Sequence, residues 1–524
     1  MMYFLTLSKN DLGKRLDPGH YCPELLKMKT HVEKHFNSIS FSNACQRMNS
    51  GPFGSALHAS SYVSSDNGVI FIRPQDCKDL LVNTDNQNVY ISHSDHRRLK
   101  SSQFAAGSII ITKIGNGIGD MAIVPTNITT CNISGNAMGA ILKDYDPYCA
   151  IAYLRSDYGQ AEIKRGLSGG PKPKIDMGSI GDIIFPLFQN KAQKYIGDKV
   201  RQAERLRIST KQTKEMIRSS MKYFFAGISK PTKNISVKIS KNNLSSNRLE
   251  AEYYSSISLW AENEVKHGPF PYKPLKDIVL RIKDGPGGWG VSTEDYTENG
   301  IPVIRTVNII DGECTLSNCI FISEKKHREL ATHTAKKGSV VLSVRGTIGR
   351  AAVFDDDVYQ EANLNAAVVT IDCSDQIIPG YLVEFFNSEV GSIQSNRIAN
   401  GAVQKNMNLV ETGSNLITVP PLSEQIKIAE LHALYINQKR YSSMLIQSAK
   451  LLVEGLIKGQ ITEQQLIEAQ TALEVGDNSL DKCILSKITN KGIDVKGKPL
   501  FGNFDKLYDL IQESHESIER KENE

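Results

Sequence analysis

Two sets of side chains in this 524-residue chain carry the chemistry of polar recognition. Arg281, Lys283, Trp289, Arg305, Arg345, Thr347, Lys405 and Asn406 form one set, and Arg47, Asn49, Arg73, Lys113, Asn116, Lys172 and Lys174 the other. Arg, Lys and Asn in glycine-broken stretches can donate to the edges of nucleic-acid bases, while cations and backbone N–H groups hold phosphates. For any single residue a plain surface role is the alternative. The segment Leu167-Ser168-Gly169-Gly170-Pro171-Lys172-Pro173-Lys174 lines up with Ala399-Asn400-Gly401-Ala402-Val403-Gln404-Lys405-Asn406, and both put cations beside glycine. Glycine lets a backbone approach a phosphate closely and lysine adds charge. A flexible surface loop is the bland reading, and the recurrence of the combination weighs against it.

Motifs for bond-making chemistry are missing by comparison. There is no G-x-x-x-x-G-K-[ST] loop, no Asn-Pro-Pro-Tyr type tetrapeptide, no G-x-S-x-G and no H-E-x-x-H. Gly285, Gly287 and Gly290 satisfy G-x-G-x-x-G formally, but Val291-Ser292-Thr293 reads as extended chain where a dinucleotide site needs a helix, so a recognition loop is expected there. The nine cysteines are scattered without a C-x-x-C pair, which reads as reduced structural thiols with no metal site. Asp144 with Asp146, or Asp355, Asp356 and Asp357, could hide a nuclease site, but an acidic triplet is more simply a solvated turn.

These residues must be positioned by more than one domain, because 524 residues exceed what one core usually organises. With 40% hydrophobic and 23% charged residues the composition is that of a globular protein. The net charge of +5 and the pI of about 8.5 exclude a chain that coats nucleic acid by charge alone. A local basic run lies at 189–225, with ten Lys and Arg against Asp198, Glu204 and Glu215. A solvated helix face is the competing reading of that run. No apolar run approaches the roughly 20 residues that span a bilayer, and Met1 to Asn10 lacks the features of a signal peptide, so the cytosol is the expected compartment.

The chain is written twice, with a period of about 230 residues. Arg15-Leu16-Asp17 answers to Arg248-Leu249-Glu250, and Arg47-Met48-Asn49-Ser50-Gly51-Pro52 to Arg281-Ile282-Lys283-Asp284-Gly285-Pro286. Gly68-Val69-Ile70-Phe71-Ile72-Arg73 answers to Gly300-Ile301-Pro302-Val303-Ile304-Arg305, and Tyr90-Ile91-Ser92 with His96-Arg97 to Phe321-Ile322-Ser323 with His327-Arg328. Gly107-Ser108-Ile109-Ile110-Ile111-Thr112 matches Gly338-Ser339-Val340-Val341-Leu342-Ser343, each before a glycine turn, at Gly115 to Gly119 and at Gly346-Thr347-Ile348-Gly349. Each copy closes on an apolar strand with proline, Ile183-Ile184-Phe185-Pro186-Leu187 and Leu416-Ile417-Thr418-Val419-Pro420-Pro421-Leu422. Short β-branched runs alternating with helical stretches such as 379–395 predict an α/β domain with a mixed, twisted sheet in each copy.

A long helix is predicted after each copy. Ile196, Val200, Ala203, Leu206, Thr210, Thr213, Ile217, Met221 and Phe224 recur at helical spacing in the first. Leu431, Leu434, Gln438, Tyr441, Leu445, Ser448 and Leu452 do so in the second. Polar residues interrupt both seams, so neither suits a free coiled coil, and the symmetry of the repeat favours pairing of the two helices antiparallel. Packing of each on its own domain is the alternative.

Val419-Pro420-Pro421-Leu422-Ser423-Glu424-Gln425-Ile426-Lys427-Ile428-Ala429 resembles the Pro-Pro-Leu-x-Glu-Gln-x-x-Ile-Ala junction of specificity subunits of type I restriction-modification systems. There the junction joins a target recognition domain to a spacer helix. The counterpart in the first copy, Phe185-Pro186-Leu187-Phe188-Gln189-Asn190-Lys191, lacks the Glu-Gln pair. The resemblance implies an α/β fold class with two tandem target-recognition domains separated by a pair of long antiparallel spacer helices. The expected division is a first domain at 1–187, its spacer at 188–227, a linker at 228–247, a second domain at 248–420, its spacer at 421–467 and a polar, partly helical tail at 468–524. A turn at Lys496-Gly497-Lys498-Pro499 and a closing helix from Phe504 are expected in the tail. The tail has no counterpart in the commonest members, and either a cap on the spacer or a partner contact would suit it.

The resemblance further implies a non-catalytic subunit that reads a bipartite double-stranded DNA site, one half per domain. It would direct DNA methyltransferase subunits, two per chain, to adenine N6, and in a restriction complex also a motor nuclease (the restriction or translocase subunit). No cofactor is expected in this chain, S-adenosylmethionine belonging to the partner methyltransferase, and no membrane contact is expected. The alternatives are the equivalent subunit of another methylation-based phage-defence system, a nuclease with a cryptic acidic site, and a pure assembly scaffold.

Overall fold

Apolar runs that no alternation interrupts belong to strands enclosed on both faces. Ile109-Ile110-Ile111 and Val340-Val341-Leu342 are such runs, and in the computed structural model each is fully buried at the middle of a sheet. The structure describes residues 18–52, 56–84, 88–170, 173–235, 237–240, 248–287, 290–316, 318–356, 358–401 and 405–522. The chain forms two compact units, one of residues 1–209 with 440–524 and one of residues 210–439. Each unit owns part of both long helices.

In the first unit a four-stranded antiparallel sheet runs in the order Cys45–Ser50, Ala137–Leu142, Ile109–Thr112, Met121–Ile123. A five-stranded sheet runs in the order Tyr62–Val63, Val89–Ser92, Gly68–Ile72, Cys131–Ile133, Gln103–Phe104, parallel only between Gly68–Ile72 and Cys131–Ile133. One core cluster draws from both sheets, including Ile70, Ile72, Phe104, Ile110, Ala122 and Ile133. Ser38–Ser40 pairs with Ile184–Pro186 as a separate ribbon.

The second unit repeats this order strand for strand. Val279–Asp284, Val368–Cys373, Val340–Ser343 and Ala351–Val353 take the places of the first sheet, extended by Gly312–Cys314 and Ile309–Ile310. At the place of that extension the first unit has a single parallel bridge, Leu81 to Ile123. Tyr296–Thr297, Ile320–Ile322, Ile301–Ile304, Glu361–Leu364 and Thr334–Lys336 form the five-stranded sheet, again parallel only at its Ile301–Ile304 and Glu361–Leu364 pair. The helical stretch expected at 379–395 is two helices, Pro379–Asn387 and Glu389–Ile398. Ser388 separates them because its hydroxyl donates to Phe385 O (2.6 Å) and accepts from Gly391 N (3.1 Å), capping the second.

Both predicted long helices form, at Asn190–Lys222 and Leu422–Ile457. In the second unit Thr213 Oγ1 donates to Gln438 Oε1 (3.0 Å) and the Lys214 ammonium lies 4.7 Å from the Tyr435 ring, so the helices run antiparallel there. In the first unit Ser442 Oγ donates to Ala203 O (2.9 Å). The polar seam residues Thr213 and Gln438 thus satisfy each other across the pair, while Ser448 Oγ donates within its own helix to Leu445 O (2.8 Å).

The second helix stops at Ile457, ten residues short of its expected end at 467, and a separate helix Glu463–Glu474 follows. Gly459 takes a left-handed φ of 69°, which glycine adopts without penalty, and Thr462 with Gln465 makes a capping box for the new helix. The tail is more structured than expected: Ser479–Ser486, a ribbon of Ile488–Thr489 with Gly492–Ile493, and Phe504–Glu522, which starts at the expected residue. It caps the first unit's helix pair. Asp481, 1% exposed, accepts from Lys199 Nζ (2.6 Å), Tyr195 Oη (2.5 Å) and Tyr508 Oη (2.5 Å), and Gln189 N donates to Glu463 Oε2 (2.6 Å). Burial raises the Asp481 pKa, but Lys199 and the two hydroxyls more than offset it, leaving the carboxyl below its ordinary value.

Candidate nucleic-acid interface

The strands Cys45–Ser50 and Val279–Asp284 occupy the same edge of their sheets and carry Arg47, Asn49, Arg281 and Lys283. Both arginines turn inward to the neighbouring sheet. Arg47 Nη2 donates to Gln103 O and its guanidinium lies 4.5 Å from the Phe104 ring centre. Arg281 Nη2 donates to Thr334 O (3.2 Å) and its Nε to Asp372 Oδ2 (2.7 Å). The acceptor is in each case the first residue of the equivalent strand, so the duplicated arginine ties the two sheets of its domain together. Asn49 Nδ2 donates to Ser101 O (3.1 Å). Lys283 is half-buried.

The glycine after these strands has a packing reason in both copies. A Cβ on Gly51 would lie 2.0 Å from Ser134 O, and one on Gly285 2.2 Å from Asn365 O. Arg73 and Arg305 each precede a one-turn helix and are held by it. Arg73 N and Nε donate to Asp76 Oδ2 (2.8 and 3.4 Å), while Arg305 N donates to Asn308 Oδ1 (3.0 Å) and its Nη2 to Asn318 O (2.7 Å).

The glycine turns and the glycine-cation loops, far apart in sequence, meet in each domain. Lys174 bridges to both Ile114 and Ser168, and Asn406 to both Arg345 and Asn400. Ile175 N donates to Lys113 O (3.1 Å), and Met407 N to Val344 O (3.0 Å). The alignment of these loops is therefore a structural equivalence. Their side chains differ. Lys113 Nζ donates to Ser50 Oγ (2.8 Å), with burial holding its pKa below the ordinary lysine value, and Asn116 and Lys174 are exposed. In the second domain Arg345 Nε donates to Asn406 Oδ1 (3.1 Å), Thr347 is exposed and Lys405 pairs with Glu252 (3.0 Å). Lys172 and Trp289 lie outside the described residues.

Four of the ten cations in the basic run at 189–225 meet acids that lie outside it. Lys199 is buried on Asp481, Lys191 meets Glu474 (3.2 Å), Arg201 meets Asp146 (2.8 Å) and Lys214 meets Glu384 (3.3 Å). Burial raises the Glu384 pKa, but its hydrogen bond from His432 (2.7 Å) and the charge of Lys214 bring it below the ordinary value. Two of the acids offered as a hidden nuclease site, Asp146 and Asp356, also have structural work. Asp146 caps the helix Pro147–Leu154, and Asp356 Oδ1 accepts from Val358 N (2.8 Å) and Tyr359 N (3.1 Å) in a turn. Asp357 lies outside the described residues.

One duplicated pair escaped the sequence reading. His96 Nδ1 lies 2.5 Å from Asn132 Oδ1 and His327 Nδ1 lies 2.6 Å from Asn363 Oδ1, both asparagines being fully buried. The signal was the identical separation of 36 residues in the two copies.

No family model matches the chain. It is 22% identical over 321 residues to the type I restriction enzyme EcoBI specificity subunit of Escherichia coli, over 59% of this chain and 65% of that relative's length, just under two thirds. The solved structures it is similar to include the type I restriction-modification S subunit from M. genitalium, at TM-score 0.44 and 11% identity over 81% of this chain and 96% of that one. The HsdS subunit from Thermoanaerobacter tengcongensis matches at TM-score 0.27 and 14% identity, over 81% of this chain and 97% of that one. The chain thus resembles type I specificity subunits. Among the described residues no helix is long and apolar enough to cross a membrane.

Proposed function

We propose that this chain is a non-catalytic, sequence-specific DNA-binding subunit that reads a bipartite target, one half per domain. It directs an adenine-N6 methyltransferase, and in a restriction complex a motor nuclease, to that target, with the helix pair setting the gap between half-sites. The observation that carries this function is the duplication itself: two domains whose shared strands follow the same order, each bringing a glycine turn against a glycine-cation loop. A half-site reader must be complete within one domain, and two such readers fix a spacing as dimeric DNA-binding proteins do. The similarity to the EcoBI specificity subunit supports the same function.

The cation-bearing loops would supply base-edge and phosphate contacts. S-adenosylmethionine would be bound by the methyltransferase partners, and the cytoplasm is the compartment in which such a complex would meet DNA. Methylome sequencing of cells with and without the gene tests this function. The expected result is loss, with the gene, of one bipartite methylated motif, and an unchanged methylome would refute it.

A further inference from the structure

Between Ile91 and Leu99 the two copies have kept five residues in register: Ile91, Ser92, His96, Arg97 and Leu99 answer to Ile322, Ser323, His327, Arg328 and Leu330. Four of these five have internal work. Ile91 and Ile322 are fully buried. Ser92 and Ser323 cap the short helices His93–Arg98 and Glu324–Glu329 by accepting from Asp95 N (3.1 Å) and Lys326 N (3.2 Å). His96 and His327 hold those helices to Asn132 and Asn363. The backbone carbonyls of Leu99 and Leu330 accept from the same two asparagines (3.1 and 3.4 Å).

Arg97 and Arg328 are the exceptions. Both are exposed, and neither guanidinium makes a hydrogen bond or ion pair among the described residues. The packing of either domain gives no reason for keeping an arginine there. The helices are anchored next to the candidate interface: Ser101, just past the first helix, accepts from Asn49, and Thr334, just past the second, accepts from Arg281. Lys100 adds charge near the first helix, where Arg98 is paired with Asp95 (2.7 Å), and on the second Lys325 stands beside the exposed Glu324 and Glu329.

We propose that Arg97 and Arg328 are the sequence-independent phosphate contacts of their domains, each docking one backbone phosphate of double-stranded DNA beside the half-site its domain reads. This rests on the DNA-reading function above. An arginine that reads a base edge must be pre-oriented, as Arg345 is by Asn406. A cation without a positioning partner suits a phosphate, which is met at every nucleotide and carries no sequence information. Duplication follows directly, because half-sites of different sequence present the same backbone.

The test measures binding of the full-length chain, and of its Arg97→Gln, Arg328→Gln and doubly substituted forms, to a labelled duplex of scrambled sequence. Salt is varied between about 50 and 200 mM, over which each neutralised phosphate contributes a slope of about −0.9 in log affinity against log salt. Each single variant should lose about 0.9 of slope, so its affinity falls about 3.5-fold less than that of the wild type across the range, and about 12-fold less for the double variant. Arg→Lys variants should keep the slope, the melting temperature should not move, and the preference for target over scrambled duplex should persist. A wild-type slope in the double variant would overturn the proposal while leaving DNA reading intact. So would a defect confined to methyltransferase binding, which would make these arginines a protein contact. No DNA affinity in the wild-type chain would overturn both this proposal and the function on which it rests.

Discussion

Asp481→Asn should destabilise the first unit far more than an ordinary surface substitution. The carboxyl and the Lys199 ammonium are each 1% exposed and 2.6 Å apart, so the substitution leaves a buried positive charge without its counter-charge, facing a neutral amide and the Tyr195 ring (4.7 Å). Removing one partner of a buried pair costs about 3–5 kcal/mol. The hydroxyls of Tyr195 and Tyr508, both 2.5 Å from the carboxylate, lose their charged acceptor as well, and hydrogen bonds to charged groups are worth about 1.5–3 kcal/mol each. These contributions overlap, because the same four groups make them all, so about 3–5 kcal/mol is the expected total. Tyr508→Phe alone should cost about 1.5–3 kcal/mol, since it removes one of the three donors.

Replacing both charges tests the cause. Lys199→Met with Asp481→Leu removes the desolvation burden together with the attraction, and apolar replacement of a buried pair is often neutral or stabilising by about 1–4 kcal/mol. The double variant should therefore be more stable than Asp481→Asn. Urea denaturation of the full chain, followed by loss of helical circular dichroism, measures both. The acid limb gives a second readout. The Asp481 pKa is depressed below its ordinary 3.8, so its contribution is present above that value and is lost as pH falls through the folded-state pKa. The wild type should lose stability in that window and Asp481→Asn should not lose this share. A loss under about 1 kcal/mol for Asp481→Asn, or a double variant no better than the single, would refute the assignment of the tail as an ionic cap on the helix pair.

Three further outcomes are expected. Exchanging residues 248–420 for those of a relative with a different target should change one half of the methylated motif only, read by methylome sequencing; a change in both halves would show that the domains do not read independently. Inserting four residues, about one turn, into each long helix lengthens it by about 6 Å, and with DNA rising about 3.4 Å per base pair the half-sites should stand one or two base pairs further apart with their bases unchanged. An unchanged gap in an active complex would mean that the helices are not the ruler. The purified chain incubated with DNA, magnesium and S-adenosylmethionine should neither cleave nor methylate; turnover tracking with the chain through purification would contradict a non-catalytic subunit.

Strands were legible where the repeat presents them twice, and a run such as Ile109-Ile110-Ile111 gains weight when Val340-Val341-Leu342 answers it in register, whereas their order in the sheets was not read. The end of the second long helix was legible too, though the expected boundary passed over it. Gly459 is a helix stop, and Thr462 with Gln465 is a helix start three residues later. The electrostatics were not legible. Counting charges between 189 and 225 weighs a lysine only against acids in the same window, whereas the partners of Lys191, Lys199, Arg201 and Lys214 are Glu474, Asp481, Asp146 and Glu384. The buried charge of Lys199 is set by a partner 282 residues away, and nothing in local composition announces it. For the same reason the tail read as polar when its central acid is among the most buried side chains of the chain.

Comparing the two copies separates what builds a domain from what it presents. Kept in both are the glycine that closes against backbone, the His-Asn pair and the bridge between glycine turn and glycine-cation loop. On that common frame the exposed chemistry has diverged. Where the first domain places Ile114 against Lys174, the second places Arg345 against Asn406, and where the first has Lys113 bonded to Ser50 the second has the buried Val344. A lysine ammonium is a mobile point donor, whereas an arginine oriented by asparagine offers a fixed fork suited to two acceptors of one base. Two DNA-reading domains with one backbone frame and different donors are expected to favour different bases. If each reads one half-site, as proposed, the target is asymmetric, and a motif with two identical halves would exclude independent reading by these loops.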